Sequence, residues 1–361
     1  MKKILCLIDS LGIGGGAERQ MVGLAMLLQE KGYQVDLVAY YNHDSYPELS
    51  AQPNLKIYTL KAGESKWSKL MAVKHHIKSS GGYDCVIAYK DGPTIISCLL
   101  RLLGGKFRLI VSERNTNQGL SVKDKVKFFL YRFADHIVPN SYSQADFINQ
   151  NFPNLKERVK TITNFTDTIH FHPIETINND KINVLTVARI ASQKNILNYL
   201  AAIKLLKVAG FSHKVHFKWY GPVQPGEEVY GETCFNKMIE LGLEDMIEFH
   251  PATSEIAKQY QACDIFCLPS IYEGFPNVVC EAMSCGKPIV CSRVCDNPYI
   301  VQENQNGILF DPENPQDIYM AIKSAIEMPD AQRIKWGKYS RSIAESMFSK
   351  ESFVSKYINI L

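Results

Sequence analysis

Short apolar runs alternate along the chain with longer stretches whose apolar positions recur every third or fourth residue. KKILCLIDS reads as a strand, AERQMVGLAMLLQEKG as an amphipathic helix ending at Gly32, and QVDLVAYY as the next strand. YDCVIAYK, FRLIVSE and ADHIVPNS follow as further apolar runs. From Ile182 the pattern restarts with INVLTVARI, a helix over about 195–209, then VHFKWYGP, MIEFHPA, DIFCLPS and GKPIVCS. Strands apolar on both faces and separated by helices imply parallel βαβ units with helices on both sides of the sheet. The expected fold is α/β, with two doubly wound Rossmann-like domains at residues 1–165 and 182–345. The polar, turn-rich NFTDTIHFHPIETINNDK joins them. A last amphipathic segment, 346–361, closes the chain, with the N-terminal domain as one place for it to pack back on.

Ligands of such sheets bind at the carboxyl ends of the strands, so the loops after strands carry the functional reading. In LIDSLGIGGGAERQ, Gly12, Gly14 and Ala17 satisfy the dinucleotide pattern G-x-G-x-x-[GA], and Asp36 lies near the downstream distance for a ribose-binding acid. Asp36, however, begins the second strand rather than ending it, which is the wrong end for reaching a ribose. A tight turn for helix packing is a second reading. A third is an anion site, built from glycine N–H groups at a helix N-terminus.

The second half holds the denser constellation. VARIASQKN places Arg189 just after a strand and Lys194 at the start of the following helix. Two cations there are poorly placed for a core and well placed for a diphosphate; the plainer reading is two solvated surface cations. EGFPNVVCEAM, Glu273–Met283, follows the strand DIFCLPS. Pro276 suits the first helical position and Gly286 the C-terminal cap, predicting a helix over about 276–285. Val279, Ala282, Met283 and Gly286 share its inward face, with Asn277 and Glu281 on another. Glu273 sits in the loop before the helix, and Glu281 lies ~7 Å along the axis. That spread fits one ligand with two hydroxyl-bearing ends, ribose at Glu281 and a sugar near Glu273. The N–H groups of the stretch Gly274, Phe275, Pro276, Asn277 would face a phosphate between them.

EGFPNVVCE resembles the E-x7-E motif of glycosyltransferase family 4, and GGAE at 15–18, VARI with Lys194, and ADHIVPNS resemble other segments of that family. The resemblance spans nearly the whole chain and is closest in kind to bacterial surface-polysaccharide and lipid-linked oligosaccharide glycosyltransferases. It implies the GT-B fold, with an N-terminal acceptor-side domain and a C-terminal nucleotide-sugar-binding domain facing each other across a cleft. It also implies a retaining transfer of a sugar from a nucleotide diphosphate donor, with no metal and no other cofactor. By this resemblance Arg189 and Lys194 hold the diphosphate, Glu281 the ribose and Glu273 the donor sugar, so that Glu273, Lys194 and Arg189 carry the chemistry. Gly15 and Gly16 would approach the phosphate or acceptor, with Glu18, Glu113, Arg114 and Asn115 on the acceptor or donor-sugar side. The lack of any Asp-x-Asp agrees with metal independence, since the two cations and helix ends would stabilise the leaving diphosphate instead. Two segments depart from the family pattern. Arg114 stands where many members carry a sugar-lining His, and CDNPY, Cys295–Tyr299, replaces Gly-Gly-x-Pro-Glu.

Composition narrows the setting. The 361 residues, 46% apolar and 21% charged, suit a globular protein. The MKKILCLI start breaks at Asp9 with no small-residue cleavage site, and no apolar run is long enough to span a bilayer. Ten cysteines without a Cys-x-x-Cys pair read as buried apolar residues in a reducing cytosol, and His75, His76, His170 and His172 as surface or linker positions. The net charge of +3 is uneven: residues 1–160 hold 22 Lys and Arg against 14 Asp and Glu. Within that basic half, Lys123, Lys125, Lys127 and Arg132 mix with Phe128, Phe129, Tyr131 and Phe133, while Trp67 accompanies Lys66, Lys69, Lys74 and Lys78. Such segments suit an anionic membrane surface, or are ordinary amphipathic helices. Together with the family resemblance, which implies the donor and the glycan acceptor, the expected partners are a UDP-sugar, a polyprenyl-diphosphate-linked glycan and the inner face of the cell membrane, with no nucleic acid. A nucleotide-sugar epimerase of the same fold and a non-catalytic nucleotide-sugar-binding subunit remain alternatives.

Overall fold

The computed structural model describes residues 2–11, 16–41, 55–60, 63, 65–114, 117, 119–174 and 180–361. Gly12, Gly14, Gly15 and Asn115 lie outside the described residues. The chain divides into two compact units: Met1–Phe165 with Phe353–Leu361, and Thr166–Ser352.

The first unit runs β1 (Lys3–Ser10), α1 (Gly16–Glu30), β2 (Gln34–Tyr41), β3 (Leu55–Thr59), α2 (Lys66–Ser79) and β4 (Cys85–Tyr89). It continues through α3 (Asp91–Leu102), β5 (Arg108–Glu113), α4 (Val122–Leu130), β6 (His136–Pro139) and α5 (Tyr142–Asn151). Every pairing is parallel, in the order β3-β2-β1-β4-β5-β6. Alternation along β1 divides the core. Ile4, Cys6 and Ile8 face a cluster with Met21, Leu24 and Leu28 of α1, whereas Leu5 and Leu7 face Val73, Ile96 and Phe128 of α2, α3 and α4. Both faces are buried, which is why β1 reads as a continuous apolar run.

The second unit repeats the plan with β7 (Ile182–Val187), α6 (Ile196–Val208), β8 (Val215–Tyr220), α7 (Glu228–Glu240), β9 (Ile247–His250) and α8 (Ile256–Ala262). Then come β10 (Ile265–Leu268), α9 (Asn277–Ser284), β11 (Ile289–Ser292), α10 (Asn297–Ile300), β12 (Gly307–Phe310), α11 (Pro315–Glu327) and α12 (Asp330–Phe348). Its sheet, again parallel, has the order β12-β11-β10-β7-β8-β9. In both units the order reverses beside the first strand, between β1 and β4 and between β7 and β10. Arg341 of α12 donates to the carbonyls of Thr168, Phe171 and Ser284 at 3.0, 2.8 and 2.7 Å, fastening the start of the unit to α9.

The last helix, α13 (Lys350–Ile358), is claimed by the first unit through its apolar face. Phe353, Val354, Tyr357 and Ile360 join the α1 side of that core, and the Phe353 ring lies 5.0 Å from Phe165. Phe353→Ala is expected to cost ~3–5 kcal/mol. Hydrogen exchange checks it: α1 and β1 should exchange faster, with the second unit unchanged.

Candidate active site

β7 and β10 are neighbours across the order reversal of the second sheet, so the loops leaving them share one crevice. Arg189 follows β7. Its flanks are locked, because the Ala188 carbonyl accepts from Trp219 Nε1 at 2.8 Å and the Ile190 N–H donates to Pro222 at 2.8 Å. Gly221 makes this approach possible, since a Cβ there would stand 2.1 Å from the Ala188 oxygen. The Arg189 side chain is exposed and has no hydrogen bond or ion pair among the described residues.

Lys194 ends a single 3-10 turn, Ser192–Lys194, rather than opening the helix itself. The cause is Asn195, left-handed at φ 60°, whose amide donates to Pro269 at 3.0 Å and Pro312 at 2.7 Å. This turns Lys194 onto the β10 loop, where its Nζ meets Glu273 Oε1 at 2.6 Å. Ser270 Oγ donates to the same oxygen at 2.5 Å, and the Glu273 N–H donates to Cys295 Sγ at 3.4 Å. Glu273 is thus buried and held from three sides. Its Oε2 has no partner among the described residues, which leaves one carboxylate oxygen to accept from a ligand hydroxyl.

Pro276 caps α9 rather than beginning it, and Gly286 at φ 69° ends it after Cys285. The Asn277 N–H donates back to Phe275 at 3.0 Å, so it is not turned to a ligand as its position suggests. Gly274 and Phe275 keep N–H groups without partners among the described residues. The Phe275 side chain packs edge-on against Phe348 at 5.6 Å, so only its backbone is available. Glu281 is buried on α9, and its Oε2 accepts from Tyr260 at 2.9 Å.

The corresponding crevice of the first unit is bounded by Asp9, Glu18 and Lys90. Gly16 opens α1, exposed, with Glu18 in the first turn paired to Lys90, whose Nζ also lies 3.2 Å from Asp9. Lys90 stands at φ 69°, a strained backbone for a residue with a side chain. Asp36 sits at the opposite end of β2 and accepts from Tyr83 at 2.5 Å, which removes the ribose-binding acid of a dinucleotide fold. His76 donates to or accepts from the same Tyr83 hydroxyl at 2.9 Å and is buried, correcting its reading as a surface or linker position.

Glu113 is also corrected by its surroundings. It is buried within the first unit, 2.7 Å from Lys127 Nζ and bonded to the Tyr131 hydroxyl, and does not line an open surface. The same pair removes Lys127, Phe128 and Tyr131 from the exposed basic and aromatic face. Arg114 points elsewhere. Its guanidinium stacks on Tyr89 at 3.7 Å and donates to Asn164 at 2.8 Å and Tyr357 at 3.1 Å, tying the end of β5 to α13. None of these links is visible in sequence spacing; the one available signal was a charged residue ending an apolar strand. The cysteines are free thiols, nine of them buried and Cys295 half-buried beside Glu273.

Comparison with known proteins gives the family and the fold. Residues 14–170 match the family model described as Glycosyltransferase Family 4, and residues 167–343 match Glycosyl transferases group 1. The chain belongs to the family 4 glycosyltransferases. It is 27% identical over 350 residues, 91% of each chain, to the N-acetylgalactosamine-N,N'-diacetylbacillosaminyl-diphospho-undecaprenol 4-alpha-N-acetylgalactosaminyltransferase of Campylobacter jejuni. It is 25% identical over the full length of an uncharacterized glycosyltransferase of Haemophilus influenzae. Among solved structures, Anabaena HepE in complex with UDP and glucose superposes with a TM-score of 0.80 at 19% identity over 99% of both chains. A Rickettsia africae glycosyltransferase gives 0.87 at 15%, over 99% of this chain and 97% of its own. The enzyme therefore has the two-domain Rossmann-like GT-B fold.

Burial pushes the Glu113 carboxyl above its usual range, against the opposing pull of Lys127 and Tyr131. Lys127→Met would leave that carboxylate uncompensated, at a cost of ~3–5 kcal/mol at pH 7. Because the folded protein then takes up a proton that the unfolded chain does not, the deficit should shrink as pH falls toward 5. Denaturant titrations at the two pH values read both effects.

Proposed function

We propose that this glycosyltransferase moves a sugar from a UDP-sugar, with retention of anomeric configuration, to a hydroxyl of a polyprenyl-diphosphate-linked glycan in surface polysaccharide or oligosaccharide synthesis. The observation carrying this reading is the pairing of Glu273, with its free Oε2, to Lys194 at the crevice where Arg189 stands unpaired. In this reading Glu281 accepts from the ribose hydroxyls and Glu273 Oε2 from the donor sugar. Arg189, Lys194 and the free N–H groups of Gly274 and Phe275 meet the diphosphate. The acceptor oxygen bonds to the anomeric carbon as the bond to the diphosphate oxygen breaks, and the acceptor proton leaves with the diphosphate. The two cations, not a metal, neutralise the developing charge.

A UDP donor is supported by the HepE complex, and a lipid-linked acceptor by the undecaprenol-linked substrate named for the Campylobacter relative. Peripheral attachment to the inner membrane face is supported by α4. No described helix is long and apolar enough to cross a membrane, yet Val122, Val126 and Phe129 share one face of α4 with exposures of 77%, 56% and 54%. Exposed Lys123, Lys125 and Arg132 flank them, and Arg132 stacks on Phe129 at 3.7 Å. Apolar anchors ringed by cations suit an anionic lipid surface.

UDP at a hundredfold excess over its Kd should stabilise the enzyme by ~2.7 kcal/mol in a thermal-shift assay. Lys194→Ala should lose most of that shift and about 100-fold in turnover. A shift with NAD alone, or release of free epimerised nucleotide sugar, would overturn the proposal. Val126→Glu/Phe129→Glu should abolish cosedimentation with vesicles containing anionic phosphatidylglycerol while leaving the UDP shift intact. Equal sedimentation of the variant would remove α4 as the contact.

A further inference from the structure

The ring of Tyr260 is fully buried and its hydroxyl ends on the Glu281 carboxylate, 2.9 Å from Oε2. Two aromatic neighbours hold the ring: Phe171 edge-on at 5.7 Å and Phe266 at 5.6 Å. Phe171 is itself fixed relative to α9, because one Arg341 nitrogen donates to both the Phe171 and Ser284 carbonyls at 2.8 and 2.7 Å. The phenol therefore has no room to swing, and its hydroxyl fixes where Glu281 Oε2 lies.

We infer that Tyr260 is a positioning residue for nucleotide recognition: its hydroxyl orients Glu281 so that the carboxylate discriminates ribose from deoxyribose. The inference rests on the reading of Glu281 as the ribose-binding acid. A buried carboxylate left to rotate would present its lone pairs in several directions, and a vicinal diol is bound well only by an acceptor fixed in advance. Charge-assisted bonds of this kind are the strong ones, so losing the orientation should be felt at the ribose and nowhere else on the ligand. Burial, then the charge on Glu281, pushes the phenol well above its ordinary range, so it remains a donor at any working pH. The other wholly buried tyrosine of this unit, Tyr199, has neutral partners instead, Thr186 at 3.4 Å and the Cys267 thiol.

The test is calorimetric titration of UDP and 2′-deoxy-UDP into the wild type, Tyr260→Phe and Glu281→Gln. The wild type should prefer UDP about tenfold, the loss expected when a charged acceptor is left without its hydroxyl donor. Tyr260→Phe, which keeps the ring in its aromatic cage, should bring the two ligands within about twofold, with deoxy-UDP affinity unchanged and, in steady-state assays, donor KM raised at constant kcat. If Tyr260→Phe weakens both ligands equally, or keeps the preference while Glu281→Gln loses it, Tyr260 is ordinary packing and the inference falls. If the wild type has no preference, or Glu281→Gln retains it, the ribose reading of Glu281 falls first and takes the inference with it. Should Tyr260→Phe prove too unstable to titrate, Phe171→Leu loosens the same ring without touching the hydroxyl. It must then reduce the preference; full retention overturns the proposal.

Discussion

Parallel strands can be joined only by crossovers, so every strand of a parallel sheet releases its outgoing loop at the same edge. Much of this molecule follows from that constraint. Where the strand order reverses, the two loops beside the first strand diverge and leave a crevice lined by both. The enzyme contains the arrangement twice, with identical strand order in each unit. In the second unit the crevice gathers Arg189 and Lys194 from the β7 side and Ser270 to Phe275 from the β10 side. In the first it gathers Asp9 and Glu18 from the β1 side and Lys90 from β4.

Holding charged groups at such an edge requires unusual backbone. Lys90, Asn195 and Cys295 are among the non-glycine residues with positive φ, and each follows a strand at a crevice or touches Glu273. Asn195 offsets its conformational cost with two hydrogen bonds to neighbouring loops. The two buried carboxylates of the second unit's crevice are then treated alike: each has an oxygen occupied by a protein donor, Ser270 and Lys194 for Glu273 and Tyr260 for Glu281. A carboxylate bound in this way is oriented before any ligand arrives.

The central strands were legible because both their faces are buried and the apolar run is unbroken. Two edge strands were not. β3 exposes Lys56, Ile57 and Thr59 and so lacks the continuous apolar run of a central strand, and β12 offers only Ile308, Leu309 and Phe310 between turn residues on either side. The helix carrying Glu281 was predicted within a residue at each end, since proline and glycine mark its limits by backbone sterics alone. The basic and aromatic segment around α4 was misread in part. Val126 and Phe129 do face outward, but Lys127, Phe128 and Tyr131 turn inward, because Glu113 needs a buried cation and a hydroxyl.

By itself the sequence determined the class of fold, the repeated βαβ plan, the position of the E-x7-E segment after a strand, and the family to which these belong. Those features depend on periodicity and local sterics, which act over a few residues. The tertiary structure decided which charged groups are enclosed by partners and which keep an oxygen unpaired. Glu113 ends one apolar strand and Glu273 follows another, and only long-range pairing separates them. One is enclosed by Lys127 and Tyr131. The other meets Lys194, 79 positions away in sequence, through a single oxygen, leaving the second without a partner among the described residues.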